Sequence, residues 1–256
     1  MTGRTAADVG MVELEQVAAI GWQGTSTERL GDWLLRAGSG FTGRANSVLP
    51  LGSPGCGLDD ALGRVEDFYR RHNLPPQFQV PLGPETSSLN DDLDQRGWTA
   101  VNPSWVLVAD LDASLARCRP RPDLPAATFE PAPSSQWLDG YLYRGSPLPD
   151  SAVAVLSNAQ SVIFGSLADR LGQAAVVRGV LTQGWLGVTA LTVANDRKRT
   201  GAGTHLMAEL MRWAAIRGAR NVYLQVAAEN HAALALYDRL GFVTHHAYHY
   251  RRIAGI

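Results

Sequence analysis

One short segment carries residue types and spacing suited to chemistry: Lys198-Arg199-Thr200-Gly201-Ala202-Gly203-Thr204, two cations followed by two glycines spaced G-x-G. Glycine lets a backbone turn tightly and come close to a ligand, and Lys and Arg bring mobile positive charge. The elements around it complete the argument. Leu186 to Val193 is a β-branched apolar run that predicts a buried strand. After the loop, Leu206, Leu210, Met211, Ala214 and Ala215 recur at helical spacing, so a helix begins near Gly201 or Gly203. The first N–H groups of a helix have no partner inside it and lie at the positive end of its dipole. Strand, basic glycine loop and helix together make an anion site, and the paired cations favour a phosphate ester over a lone carboxylate.

Two familiar phosphate motifs are excluded by spacing. A Walker loop needs G-x-x-x-x-G-K-[ST] and a dinucleotide fingerprint needs G-x-G-x-x-G, and neither is present. Downstream, Asn221 to Val226 alternates like a strand, and Ala233, Leu236, Tyr237 and Leu240 fall on one side of a helix capped by Asn230 and stopped by Gly241. The basic-x-x-Gly-x-Gly loop and the stretch Asn230-x-x-Ala233-x-x-Leu236-Tyr237-x-x-x-Gly241-Phe242, in this order and one helix and one strand apart, resemble the two signatures of GNAT-superfamily acetyltransferases. The resemblance covers residues from about 125 to 256. It implies an α/β fold with a mixed twisted sheet, splayed in the middle, with helices on both faces.

It also implies an N-acetyltransferase that moves an acetyl or short acyl group from acetyl-coenzyme A (acetyl-CoA) to a primary amine of a small molecule or peptide. By resemblance, residues 198–204 grip the pyrophosphate of coenzyme A. Main-chain groups of Leu191 and Val193 meet its pantetheine arm, with Asn230 and Ala233 nearby, and Tyr237 protonates the departing thiolate. The general base is harder to find. The family's usual glutamate on the central strand is missing, because Trp185 to Val193 offers only Thr189 and Thr192 as polar side chains. Glu130, Asp150 and Glu229 are substitutes, with a solvent route as the alternative. Loss of that glutamate also admits a different class of function, a non-catalytic acyl-CoA sensor.

Composition bounds the rest. The chain has 256 residues, 45% of them hydrophobic, and a formal net charge of −1, which offers no basic field for nucleic acid. Cys56 and Cys118 have neither metal-ligand nor disulfide-framework spacing, and no run of 18 uninterrupted apolar residues or secretory signal occurs, so a cytoplasmic, non-membrane protein, monomeric or homodimeric, is expected. His245 and His249 would share one face of the last strand about 13 Å apart, with His246 opposite, so no single metal could hold all three. They decorate the strand or line the amine pocket.

The first half runs parallel to the second. Asp32–Ala37 and Phe41–Leu51 about a turn at Gly38-Ser39-Gly40 read as a hairpin, followed by a helix over 58–71, a strand over 77–80, a helix over 88–95 and a strand over 105–109. Gly97-Trp98 stands where Gly241-Phe242 stands. This order predicts a truncated, degenerate GNAT-like domain over residues 1–119, joined by a proline-containing linker to the acetyltransferase domain over 120–256. Its glycine loop, Gly52 to Gly57, has no Lys or Arg, and Asp59 and Asp60 would repel phosphate, so it is expected not to bind coenzyme A. Trp33, Trp105 and Trp137 are candidates for walling a cleft between the halves. Arg36, Arg44 and Asn46 are candidates for facing substrate, against a plain role as solvated or turn residues.

Overall fold

Period-2 and period-3.6 apolar patterns resolve into eight helices and eleven strands in the computed structural model, which describes residues 5–143, 145–170 and 172–253. In chain order the first half holds α1 (Met11–Gly21), β1 (Ser26–Leu30), β2 (Trp33–Ala37), β3 (Leu49–Pro50), α2 (Leu58–Arg71), β4 (Gln77–Leu82), α3 (Ser87–Gln95), β5 (Trp98–Asp110) and α4 (Leu111–Ala116). The second holds β6 (Thr128–Glu130), α5 (Ser135–Gly140), α6 (Ala152–Leu156), β7 (Val162–Asp169), β8 (Gly172–Thr182), β9 (Trp185–Val193), α7 (Ala202–Ile216), β10 (Asn221–Ala227), α8 (His231–Arg239) and β11 (Val243–Ile253).

β1, β2 and β3 form a small sheet, and the other strands form one eight-stranded sheet in the order β4-β11-β5-β10-β9-β8-β7-β6. Among the described residues only β9 and β10 pair in parallel within it. The halves exchange neighbours: β5 of the first half lies between β10 and β11 of the second, and β11 lies between β5 and β4. β5 pairs with β10 over all of Asn221–Ala227 and with β11 from Val243 to Ile253. The 119/120 position therefore separates the chain between α4 and β6 but does not separate the sheet.

Alternation along the strands decides what each face buries. Val222, Leu224 and Val226 of β10 pack with Leu206, Leu210 and Met211 of α7, in a core where those three helix residues are fully buried. Tyr223 points to the other face, where Leu14, Val17 and Ala18 of α1 meet Val106, Val108 and Trp185. Its hydroxyl lies across Gly187 of β9 and 2.7 Å from where a Cβ on Gly21 would sit, so both positions need glycine for the ring to cross.

The N-terminal hairpin differs from its expected position. Its strands are β1 and β2, joined at Gly31-Asp32, and the 41–46 region carries a short 3₁₀ turn at Arg44–Asn46 instead of a strand. Ser26–Leu30 is polar and largely exposed, so it lacks the apolar alternation that marks a strand in sequence. Gly38-Ser39-Gly40 does turn the chain, but Asn46 fixes it, its Oδ1 accepting from the N–H of Gly38 at 2.7 Å and of Gly40 at 3.0 Å. Two short helices precede β7: α5 ends at Gly140, and α6 spans Ala152–Leu156.

Candidate active site

The site begins where two strands part. β9 and β10 pair from Trp185–Asn221 to Val188–Leu224, and beyond that point Thr189–Val193 has no partner on β10. On its other edge β9 carries a bulge: Val177 of β8 stands opposite both Ala190 and Leu191, and Ala190 has φ 58°. A bulge bends the strand that carries the extra residue, which widens the gap towards the C-terminal end of β9. The gap opens into a cleft of about 1590 Å³.

The cleft collects most of the residues expected from sequence. Leu191 and Val193 line it from β9, Lys198, Arg199, Gly201, Ala202, Gly203 and Thr204 from the loop and first turn of α7, and Asn230, Ala233 and Tyr237 from α8. Gly201 has φ 90°, a region open to glycine, and offers no side chain to cap the helix. The N–H of His205 is the first of α7 to reach back to a carbonyl, that of Gly201 at 2.9 Å, so those of Ala202, Gly203 and Thr204 have no helical acceptor. A Cβ on Gly203 would press on Val193 at 3.1 Å.

Charge around this turn is unevenly spent. Arg197 pairs with Asp169 at 3.2 Å and Asp196 at 2.6 Å, whereas Lys198 and Arg199 are exposed with no ion pair among the described residues. Thr200 alone of the loop residues does not line the cleft. Its hydroxyl donates to the Arg197 carbonyl at 2.7 Å and its own carbonyl accepts from Arg121 Nη1 at 2.9 Å, so it closes the turn from behind. Arg121 lies across Gly201, leaving no room for a Cβ, and forms an ion pair with Asp123 at 2.6 Å that holds the Asp123 carboxyl down to about 2. Sequence reasoning missed Arg121, because it sits in a proline-rich linker with no periodicity.

Asn230 caps α8, its Oδ1 accepting from the N–H of Ala233 at 3.2 Å, and also faces the cleft. Tyr237 packs its ring on Phe242, with centroids 5.6 Å apart, and is 7% exposed. Burial pushes its pKa well up from the ordinary 10. Among the described residues nothing hydrogen-bonds its hydroxyl.

Other candidates lie elsewhere. Glu130, Asp150 and Glu229 are exposed and none lines the cleft; the carboxylates that do are Asp139 and Asp169, on a wall that the sequence did not reveal. Trp33 and Trp137 are buried in separate cores and Trp105 is on the surface, so none of the three walls the cleft. Arg36 and Asn46 are not solvated but 2% and 4% exposed. No group of three or more His, Cys, Asp or Glu among the described residues could hold a metal ion. His245 and His246 do not oppose one another as strand neighbours should. A bulge between Thr244 and His246 brings their Nδ1 atoms to 2.7 Å, and His246 Nε2 meets the buried Glu15 at 2.9 Å.

Known proteins share this architecture. A GCN5-related N-acetyltransferase from Kribbella flavida has the same fold, with a TM-score of 0.64 and 14% identity over 98% of this chain and 96% of that one. An uncharacterized N-acetyltransferase of Bacillus subtilis, YobR, is 28% identical over 243 residues, 93% of this chain and 97% of that protein. Fold, splay and relatives define the class: the protein is an acyltransferase of the GNAT superfamily, whose cosubstrate is an acyl-CoA. Within that class it belongs to the family described as "Probable histone acetyltransferase Rv0428c C-terminal", whose model matches residues 9–251. It is 32% identical over 247 residues to the probable histone acetyltransferase Rv0428c of Mycobacterium tuberculosis, spanning 95% of this chain and 73% of that protein. No helix among the described residues is long and apolar enough to cross a membrane.

Proposed function

We propose that the protein transfers an acetyl or similarly short acyl group from acetyl-CoA to a primary amine of a small molecule or peptide in the cytosol, by direct attack without a covalent enzyme intermediate. One observation carries this reading: a single open cleft joins the unbonded N–H groups at the start of α7 to the unpartnered hydroxyl of Tyr237, along the strand edge that β10 leaves free.

The residues present fit the cosubstrate. The N–H groups of Ala202, Gly203 and Thr204, with Lys198 and Arg199 beside them, suit a pyrophosphate. The free main-chain edge at Leu191 and Val193 suits the amides of a pantetheine arm, with Asn230 across the gap. When bound, acetyl-CoA supplies an activated thioester carbonyl and a thiolate leaving group. Tyr237 holds a proton at Oη for the departing sulfur, and its raised pKa keeps the phenol neutral at physiological pH. The sign of the pH dependence follows. The active form is the protonated one, so a raised pKa extends activity upward, and the rate climbs with pH as free amine accumulates, with no fall from Tyr237 below about pH 10.

The experiment is thiol release from acetyl-CoA across a panel of amines: antibiotics, polyamines, amino acids, peptide N-termini and, given the name of the mycobacterial relative, a histone-derived lysine peptide. Tyr237→Phe keeps the packing on Phe242 and should lower turnover about 10²–10⁴-fold while coenzyme A affinity stays within about twofold. Full activity in that variant removes the phenol as the acid. Cofactor binding with no thiol release for any amine overturns amine acylation.

A further inference from the structure

On the face of the sheet opposite α7, beside the β9–β10 splay, positive charge is buried without its counterpart. Arg36 is 2% exposed and spends its donors on neutral groups: Nε on the Ser47 carbonyl at 3.1 Å, Nη2 on Ser47 Oγ and Gln79 Oε1, both at 2.9 Å. Arg178 is 1% exposed and donates to the carbonyls of Leu156 at 2.6 Å and Gly21 at 3.1 Å, and to Thr189 Oγ1 at 3.4 Å. Arg44 completes the set. Its guanidinium carbon and that of Arg178 each lie 4.8 Å from the centre of the Trp22 ring, which Trp22 Nε1 anchors to Thr42 Oγ1 at 3.0 Å.

Arg44 differs from the other two in one respect. It is half-buried, and among the described residues no acceptor meets its guanidinium. Its charge acts on Arg36 and Arg178, like charges, and on the phenols of Tyr141, Tyr223 and Tyr250. The carboxylate that acts on Arg36 and Tyr223 is Glu15, and it is already committed, Oε1 to His246 Nε2 at 2.9 Å and Oε2 to Gln79 Nε2 at 3.2 Å. Three guanidiniums thus share a low-dielectric region in which Glu15 is already occupied. A half-buried cation with unspent donors is costly, and an anion relieves that cost by ion pairing and hydrogen bonding together.

A second unspent group lies on the same face. Gln225 is the first residue of β10 past its last pair with β9, and it alternates with Tyr223 towards the α1 side. Both amide atoms of Gln225 are buried with no partner. Buried polar groups left unsatisfied mark places where a ligand or water belongs. The region also touches the line of transfer: Arg178 holds Thr189, the residue before the β9 bulge, and Tyr141 follows Gly140, which lines the cleft.

We propose that this face is the acceptor side of the transfer site and that Arg44 selects an amine bearing an anionic group, a carboxylate or a phosphate ester, with the Gln225 amide taking a neutral polar group of the same acceptor. The proposal rests on amine acylation as the reaction. It puts the selection of acceptor on Trp22 and Arg44 of the first half, while the coenzyme A loop belongs to the second. A lysine-rich peptide would meet three like charges here.

The test uses matched amines with acetyl-CoA: γ-aminobutyrate against butylamine, O-phosphoethanolamine against ethanolamine, and a lysine-rich peptide. The anionic member of one pair should have a kcat/KM at least about tenfold above its neutral partner, and which pair responds identifies carboxylate or phosphate. Arg44→Gln should shrink that ratio to about twofold or less through the KM of the anionic amine, with coenzyme A affinity unchanged; Arg44→Lys should restore part of it. Equal or better use of neutral amines or of the peptide overturns the proposal, as does an Arg44→Gln variant that slows both members alike. A binding arm separates this failure from failure of the reaction itself. Calorimetric titration of the coenzyme A-loaded protein with N-acetylglycine and N-acetylglycinamide should show tighter binding of the acid, lost in Arg44→Gln. Binding of the acid without turnover of any amine keeps the anion site and removes the reaction, and no preference for the acid removes the site.

Discussion

The two halves of the chain offer the same succession of strand, glycine loop, helix and strand, and they treat the resulting gap in opposite ways. In the second half β9 and β10 part and leave the cleft open. In the first, Val48 and Phe78 bridge in parallel, and the space beside them is filled with rings: Trp33 on Phe78 at 5.4 Å and Phe78 on Trp98 at 5.2 Å, both edge-on. Trp33 Nε1 donates to the Gly52 carbonyl at 3.0 Å, and the N–H of Ser53 is taken by Asp32 Oδ2 at 3.1 Å. The loop before α2 therefore spends its polar groups on the protein itself, and Asp59 and Asp60 occupy the first helical turn. The start of α7 differs from it as much by the N–H groups left unpaired as by the cations placed near them.

The comparison breaks most completely if the halves are parted. Residues 120–256 alone lack β5, the neighbour of both β10 and β11, so they should show no cooperative thermal unfolding by circular dichroism, and a sharp transition would mean that the shared sheet is dispensable. Next in size is a matched pair of loop variants. Gly203→Glu puts a Cβ against Val193 and a carboxylate into the anion site and should abolish coenzyme A binding by calorimetry. Gly57→Glu, at φ −60° with no atom closer than 4.0 Å to its Cβ, should leave one equivalent bound. Two equivalents in the native protein would mean that the first loop is also a site. Trp33→Ala should then cost about 3–5 kcal/mol in chemical denaturation without creating a second coenzyme A site. The smallest effect is at the rim, where Lys198→Ala should weaken coenzyme A about two- to fivefold, more at low salt.

Local features were legible and non-local ones were not. The helix over 58–71 has the expected bounds because Leu62, Val65, Phe68 and Tyr69 repeat along one face, and α8 begins at its Asn230 cap because the cap bond lies within three residues. The loop at Lys198–Thr204 was found from its glycines and cations, both visible in one dimension. The neighbours of β5 were not. Its apolar pattern says that it is buried but not by which strands, and a separation of 153 residues, as between Thr99 and Arg252, leaves no trace in a local window. Arg121 and the stacking of Arg44 and Arg178 on Trp22 were hidden for the same reason: Arg44 was marked as a candidate by its place in the N-terminal hairpin, but these contacts join residues distant in sequence.

The placing of β11 between β4 and β5 also sets a schedule for biosynthesis. The first half leaves the ribosome with two strands whose shared slot stays vacant until the end of the second half follows, and β5 waits on its other edge for β10 as well. At about 5–20 residues per second, the 153 residues from Thr99 to Arg252 take roughly 8–30 s to make. Throughout that interval the nascent chain carries unpaired strand edges, a template for pairing with other chains, so fidelity depends on the rate of translation and on chaperone cover as well as on the stability of the finished fold.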